Sequence, residues 1–117
     1  MRKDKRMKID HQVQNEILVI TIEGRLDAAS APVADETIHK LLEADHNRLL
    51  FDLSGLEYLS SGGLRVILAA AKEMKRRNGQ IALCGLTPYV NEIFEVSGFS
   101  AMIPIKDSLE TALNDLS

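Results

Sequence analysis

The sequence is poor in cysteine, proline and aromatic residues: it has one cysteine, three prolines, no tryptophan and 4% aromatic residues. Cys84 has no second cysteine with which to form an internal disulfide or a C-x-x-C metal or redox site, so a reducing compartment is favoured. The longest apolar run, Ile17–Ile22, is far too short to cross a membrane, and the start of the chain lacks an apolar signal-peptide stretch. These absences predict a cytoplasmic protein with no membrane span.

The length, charge and composition of the chain restrict the class of protein to which it belongs. The 117 residues carry 14 basic and 17 acidic side chains, a formal net charge of −3, with 45% hydrophobic and 26% charged residues. This composition is close to that of soluble globular proteins and argues against a fibre or a disordered chain. A chain of this size buries a core of its own. We expect residues 1–6 to be a solvated tail and residues 7–117 to form one domain.

Apolar periodicity places the first two strands in a hairpin. Apolar and polar residues alternate from Met7 to Val13, which is typical of an edge strand with one wet face. Ile17–Ile22 is apolar on both faces and rich in β-branched residues, as a buried strand is. Gln14–Glu16 supplies the turn, so an antiparallel pair is predicted.

Helical and strand patterns alternate along the rest of the chain. The predicted elements are a helix over about 31–45, a strand Leu49–Leu53, a loop Ser54–Ser61, a helix Gly63–Arg77, a strand Ile81–Cys84, a short helix between Thr87 and Gly98, a strand Met102–Ile105 and a last helix from Asp107. Pro104 has no N–H for a ladder, which places it at an edge or a strand end, and Asp107 and Glu110 have capping-box spacing. The order predicts an α/β domain with a mixed, mostly parallel sheet of about five strands flanked by about four helices.

The loop after the third predicted strand carries the candidate chemistry, because open α/β sheets present function at the carboxyl ends of their strands. Here Ser60 and Ser61 directly precede Gly62, Gly63 and a helix. Hydroxyls at a helix start cap the helix, bind an anion or accept a phosphoryl group. From spacing alone, capping is the favoured interpretation. The two glycines permit a tight turn and a close approach of the helix to a strand, or they expose backbone to a partner.

Three motifs resemble one known family. They are Gly24–Asp27 after the second strand, Asp52–Ser54, and above all Tyr58–Leu64, which reads Tyr-Leu-Ser-Ser-Gly-Gly-Leu. Together with the order of elements over nearly the whole chain, they resemble STAS domains, and within them the bacterial anti-sigma factor antagonists, or anti-anti-sigma factors. The resemblance implies a binding protein rather than an enzyme.

The resemblance also implies a phosphorylation switch. In that family the serine at the position of Ser61 is phosphorylated by an anti-sigma factor that is also an ATP-dependent serine kinase. The unphosphorylated antagonist binds this partner and releases the sigma factor, and a serine phosphatase is a further expected partner. The expected partner-binding residues are Asp27, Tyr58, Ser60, Ser61, Gly62, Gly63 and Arg65. The family often has Asp-Ser-Ser-Gly or Asp-Ser-Thr-Gly where this chain has Ser60–Gly63, which leaves Ser60 as an alternative acceptor.

The sequence lacks the common motifs of catalytic and metal sites. The histidines, His11, His39 and His46, have positions typical of a strand surface or a helix end, and the sequence has no G-x-S-x-G elbow, P-loop, zinc or calcium motif. We therefore expect no catalysis, no cofactor and no metal. A receiver-type acceptor at Asp52 would need an acidic cluster after the first parallel strand, where only Asp27 occurs, so Asp52 is interpreted as a turn former.

Two further alternatives concern binding. The basic clusters near Arg2 and Arg76 could attract nucleic acid, but the net charge is negative and tryptophan is absent, so they are interpreted as solvated charge. A STAS module serving a signalling adaptor or a transport complex, with no phosphorylation switch, remains open.

Overall fold

A computed structural model describes residues 7–116, so the predicted solvated tail, residues 1–6, lies outside the described residues. The strands are β1 Lys8–Gln14, β2 Ile17–Leu26, β3 Arg48–Asp52, β4 Leu56–Leu59, β5 Gln80–Cys84 and β6 Ile105–Lys106. The helices are α1 Ala31–Leu41, α2 Ser61–Arg76, α3 Pro88–Val96 and α4 Leu109–Leu116, with a 3₁₀ turn at Phe99–Ala101. The predicted α/β class and the order of the helices are confirmed.

The strands form one mixed sheet in the order β1-β2-β3-β5-β6, with β4 pairing β2 beyond the end of β3. Among the strands of residues 7–116, only β1 and β2 pair antiparallel, as the hairpin pattern predicts, and the other pairs are parallel. The turn of the hairpin places Asn15 and Glu16 at positive φ, 54° and 65°, which suits the twist of a two-residue connection.

Both faces of the sheet are covered. Helices α1, α2 and α3 bury the larger core on one face, where Ile20, Phe51 and Phe94 are fully enclosed. The single helix α4 covers the other face, where Leu113 packs near Val19 and Leu50 in a smaller core. This two-sided cover explains why β2 is apolar on both faces.

The segment predicted as a loop, residues 54–61, contains the strand β4, so the sheet has six strands rather than about five. Leu56 and Leu59 are buried beneath this segment, and β4 runs parallel to the end of β2. The pairing is available because β2 continues to Leu26, past a register shift between Gly24 and Arg25. Gly24 has φ 83° there, and its N–H donates to Gly55 O at 2.9 Å.

The last predicted strand and the last cap are also displaced. Pro104 precedes β6 instead of lying inside a strand, because it has no N–H to donate to a ladder. The helix α4 is capped by Ser108 rather than Asp107: Thr111 N–H donates to Ser108 Oγ at 3.2 Å. The Asp107 capping prediction is therefore wrong, because the first helical residue is Leu109.

The predicted helix over 31–45 ends at Leu41, and Arg77 binds backbone carbonyls of the C-cap Leu42 and of the turn that follows. The Arg77 guanidinium donates to the backbone oxygens of Leu42 at 2.8 Å, His46 at 3.1 Å and Ala44 at 3.3 Å. It also pairs with Glu73 at 2.7 Å. Hydrogen bonds from Arg76 and Arg77 lower the pKa of Glu73 to about 2, so this carboxylate stays charged at neutral pH. One side chain thus closes the end of α1 against the end of α2.

Arg77→Met should lower the free energy of unfolding by about 2 kcal/mol, because two part-buried carbonyls lose a charged donor. Arg76→Met is the matched control, since Arg76 pairs with the same Glu73 but is 73% exposed against 20% for Arg77, and exposed pairs contribute little. Urea denaturation of both variants measures the difference. Equal midpoints for the two variants would contradict the capping role.

Candidate functional site

The candidate site lies where β2 and β4 end and α2 begins. The two strands run parallel, with Leu26 opposite Leu59, so both carboxyl ends reach the same edge of the sheet. Ser60 N–H donates to Leu26 O at 3.0 Å and ties the start of α2 to the end of β2. This is the edge at which the sequence places the candidate serines.

Ser60 is the N-cap of α2. Its Oγ accepts a hydrogen bond from Gly63 N–H at 3.1 Å, and its backbone oxygen accepts from Leu64 N–H at 2.8 Å. The residue has extended backbone, φ −90° and ψ 172°, as an N-cap requires. The capping role that the spacing favours therefore belongs to Ser60, whose hydroxyl has a structural task.

Ser61 is the first residue of α2, and its side chain is exposed. Within residues 7–116 its hydroxyl makes no hydrogen bond. A helix start favours negative charge, because its free N–H groups and macrodipole are positive there. The two adjacent serines thus differ: one hydroxyl is used inside the fold and the other faces solvent.

The two glycines also have different tasks. A Cβ on Gly63 would lie 2.4 Å from Leu26 O and 2.8 Å from Leu26 Cγ, so only glycine allows α2 to approach β2 this closely. A Cβ on Gly62 would lie 3.7 Å from Ala28 Cα, an ordinary contact. Gly63 is therefore needed by the packing, while Gly62 is a half-buried position facing the β2–α1 loop.

Asp27 organises the neighbouring loop between β2 and α1. Its Oδ1 accepts from Ala29 N–H, Ser30 N–H and Ser30 Oγ, each at 3.1 Å, and Oδ2 lies 3.7 Å from Arg25 Nε. The hydrogen bond from Ser30 N–H is the main cause that lowers the pKa of Asp27. The carboxylate is thus largely used in shaping the loop beside Gly62.

An aromatic and cationic cluster, Arg25, Tyr58 and Tyr89, borders the same edge. The Arg25 guanidinium carbon lies 4.2 Å from the centroid of the Tyr58 ring. Tyr58 stacks on Tyr89 with ring centroids 6.2 Å apart and an 18° angle between the planes. Tyr89 is 46% exposed and was missed by the sequence analysis, although its place directly after the Thr87–Pro88 cap could have suggested it.

Three further residues named from the sequence are Arg65, Asp52 and Cys84. Arg65 is exposed on α2 four residues after Ser61, so the two side chains lie on one face of the helix. Asp52 acts as the predicted turn former, since its Oδ1 accepts from Ser54 N–H at 3.1 Å and Ser54 Oγ at 2.9 Å. Burial raises the pKa of the Cys84 thiol to about 12, so Cys84 is not a reactive nucleophile.

In residues 7–116 no three His, Cys, Asp or Glu side chains are grouped so that they could hold a metal ion. Over the same residues no helix has both the length and the apolar character to cross a membrane.

Sequence comparisons relate the chain to known proteins. The family model described as STAS domain matches residues 8–112. The chain is 34% identical over 106 residues to BtrV of Bordetella bronchiseptica, and the aligned segment covers 91% of each protein. It is 27% identical over 114 residues to the anti-sigma F factor antagonist of Paenibacillus polymyxa, covering 94% of this chain and 95% of the relative.

A solved structure shows the same fold. The anti-sigma factor antagonist from Mycobacterium paratuberculosis superposes with a TM-score of 0.89 at 20% sequence identity, covering 99% of this chain and 98% of that one. The six strands, the β1-β2 hairpin and the four helices described above therefore form the same fold as that solved structure.

Proposed function

The chain belongs to the STAS domain family, and we propose that it is an anti-sigma factor antagonist whose binding is switched off by phosphorylation of Ser61. The unphosphorylated protein binds an anti-sigma factor that is also an ATP-dependent serine kinase, and this binding releases the sigma factor. A serine phosphatase restores the binding form. Antagonists of this family are regulatory binding proteins rather than enzymes, and we place this one in the cytoplasm, with residues 7–117 as its single domain.

One observation carries the choice of acceptor. Ser60 Oγ is held by Gly63 N–H at 3.1 Å and caps α2, whereas Ser61 is exposed and its hydroxyl has no partner in the described residues. A kinase needs a hydroxyl that can enter its own active site. Phosphorylation of Ser60 would first break the cap, so Ser61 is the acceptor that the fold leaves available.

The chemistry of the switch is a phosphoryl transfer in the partner's active site. Ser61 Oγ attacks the γ-phosphorus of ATP, the bond to the β-phosphate oxygen breaks, ADP leaves, and the hydroxyl proton passes to a base of the kinase. The product carries about −1.5 to −2 charge at the start of α2, where the helix dipole tolerates it. The fold therefore survives phosphorylation, and the effect falls on docking, since a hydrated dianion opposes close contact with the partner.

Affinity capture tests this proposal. The tagged protein is incubated with lysate of its source organism, ATP and Mg²⁺, and its intact mass is then measured. We expect an ATP-binding serine kinase to be captured and the mass to rise by one phosphate group. Ser61→Ala should stay unmodified. Ser60→Ala should still be modified, because it retains the exposed hydroxyl of Ser61.

The outcomes separate the alternatives. Modification that persists in Ser61→Ala and disappears in Ser60→Ala would make Ser60 the acceptor. A captured partner without any mass change in the wild type would make this a STAS adaptor with no phosphorylation switch. Either result would overturn the proposal at Ser61.

A further inference from the structure

A second surface lies far from Ser61, at the other end of α2. It is a groove of about 760 Å³ between the C-terminal half of α2 and the outer edge of β5, closed by the segment 99–104 and the end of α4. Lys75 on its rim is fourteen residues from Ser61, about 21 Å along a helix that rises 1.5 Å per residue. The groove is therefore separate from the candidate phosphorylation site.

The floor of the groove contains an open sheet edge. β6 pairs β5 only at Leu83 and Cys84, so the Gln80–Ala82 half of that edge has no strand partner in the described residues. Gln80 N–H donates to Asn47 O on the β3 side at 2.8 Å, so the N–H and C=O of the next residue, Ile81, point outward.

Pro104 keeps this edge open. Leu83 N–H donates to Pro104 O at 2.9 Å, with Leu83 opposite Ile105. In the same register the carbonyl of Ile81 would need the N–H of Pro104, which proline lacks. The strand β6 therefore cannot extend across Ile81. The N–H and C=O of Ile81 are available to another strand.

The walls of the groove are apolar and its rim is basic. Leu68 and Ala71 of α2 line the groove together with Phe99 and Met102, and Met102 is 65% exposed. The rim carries Lys72, Lys75, Lys106 and a single acidic residue, Asp115. Asp115 pairs with Lys106 at 2.9 Å, while Lys72 and Lys75 have no acidic partner within residues 7–116. Two unpaired positive charges thus flank an apolar groove on a protein of net charge −3.

We propose that this groove binds an extended segment of a partner protein, with alternating apolar side chains and flanking carboxylates, by adding it as a strand to the edge of β5. Strand addition uses the free backbone groups of Ile81 for affinity and the pockets on either side for selectivity. The carboxylates complement Lys72 and Lys75. The site is independent of the phosphorylation switch, so the protein has a second docking surface.

The test uses the ¹⁵N-labelled full chain and the peptide acetyl-Glu-Val-Leu-Val-Glu-amide. We expect shifts at Gly79, Ile81 and Leu83 in NMR spectra, with a dissociation constant on the order of 1 mM or tighter, and slower exchange of the Ile81 amide. Lys72→Glu with Lys75→Glu should weaken binding about tenfold at low salt. Lys8→Glu with Lys40→Glu, the same charge change elsewhere, should not.

Two further peptides distinguish strand addition from other occupants. Methylating alternate backbone nitrogens removes the ladder donors without changing the side chains, so this peptide should not bind. A lysine version of the peptide should bind the Lys72→Glu, Lys75→Glu protein in preference to wild type. Equal binding of the methylated and the parent peptide would overturn strand addition. Shifts from dodecanoate with none from the parent peptide would overturn it as well and would indicate a lipid anion instead.

Discussion

Gly63→Ala is expected to lower the free energy of unfolding by about 3 kcal/mol, at the upper end of what overpacking costs. The added Cβ would lie 2.4 Å from the carbonyl oxygen of Leu26, which is backbone and cannot rotate away. The same oxygen accepts Ser60 N–H at 3.0 Å, so moving it also loosens the start of α2. At about 4 °C per kcal/mol for a domain of this size, the melting temperature should fall by about 12 °C.

Gly62→Ala provides the adjacent control. Its Cβ would approach no closer than 3.7 Å to Ala28 Cα or Ser60 Oγ, and alanine is a better helix former than glycine by up to about 1 kcal/mol. Thermal unfolding of this variant should match or slightly exceed the wild type. If both alanine variants melt at the same temperature, the close approach of α2 to β2 does not explain why residue 63 is glycine.

Local signals were sufficient for most of the fold. The edge position of β1, the two-faced apolar run in β2 and a cap at Thr87, where Val90 N–H donates to Oγ1 at 3.4 Å, all appear in the structure. These features depend on neighbours within a few residues. Asn78 likewise ends α2 with φ 60°, as the Asn78–Gly79 pair indicates. The single wet face predicted for β1 is wrong, because Val13 is 59% exposed and the strand is exposed on both faces beyond Ile9.

The strand β4 could not be recognised locally, because only four residues form it and its partner is the distant end of β2. The pattern Leu56–Leu59 puts two buried residues three apart, which is neither a helix stripe nor a strict alternation. The cap of α4 was assigned one residue early for a related reason: Asp107 and Ser108 are both good caps, and tertiary position decides between them.

The sequence placed the candidate site in this loop, but it did not show which of the two serines caps the helix and which is exposed. Ser60 and Ser61 are identical in type and adjacent, and only the path of the chain from β4 shows which hydroxyl turns back to Gly63 N–H. The cluster of Arg25, Tyr58 and Tyr89 joins three separate segments, so no local pattern predicts it. The open edge at Ile81 likewise depends on where β6 begins.

Ser61→Glu is expected to weaken binding of the captured partner at least about 100-fold, or about 2.7 kcal/mol. The carboxylate places a charge where the proposed switch places a phosphate, on the exposed first residue of α2. Negative charge at a helix start stabilises the helix, so this variant should fold at least as well as the wild type. Loss of binding then reports the interface and not unfolding. Calorimetric titration with the purified partner measures the affinity, and Ser61→Ala should bind within about threefold of wild type.

Two controls make the Ser61→Glu result specific to its position. Gln12→Glu adds the same charge to the exposed edge strand β1, opposite Val19 and seven residues along β2 from Leu26 at the site, and should leave affinity unchanged. Ser60→Ala should cost about 1 kcal/mol of stability through the lost cap but should retain binding well below its melting temperature. If the repulsion is electrostatic, added salt should recover part of the affinity of Ser61→Glu, because screening weakens exposed charges. Equal affinities for Ser61→Glu and Ser61→Ala would remove Ser61 from the switch, and the docking surface would then have to lie elsewhere.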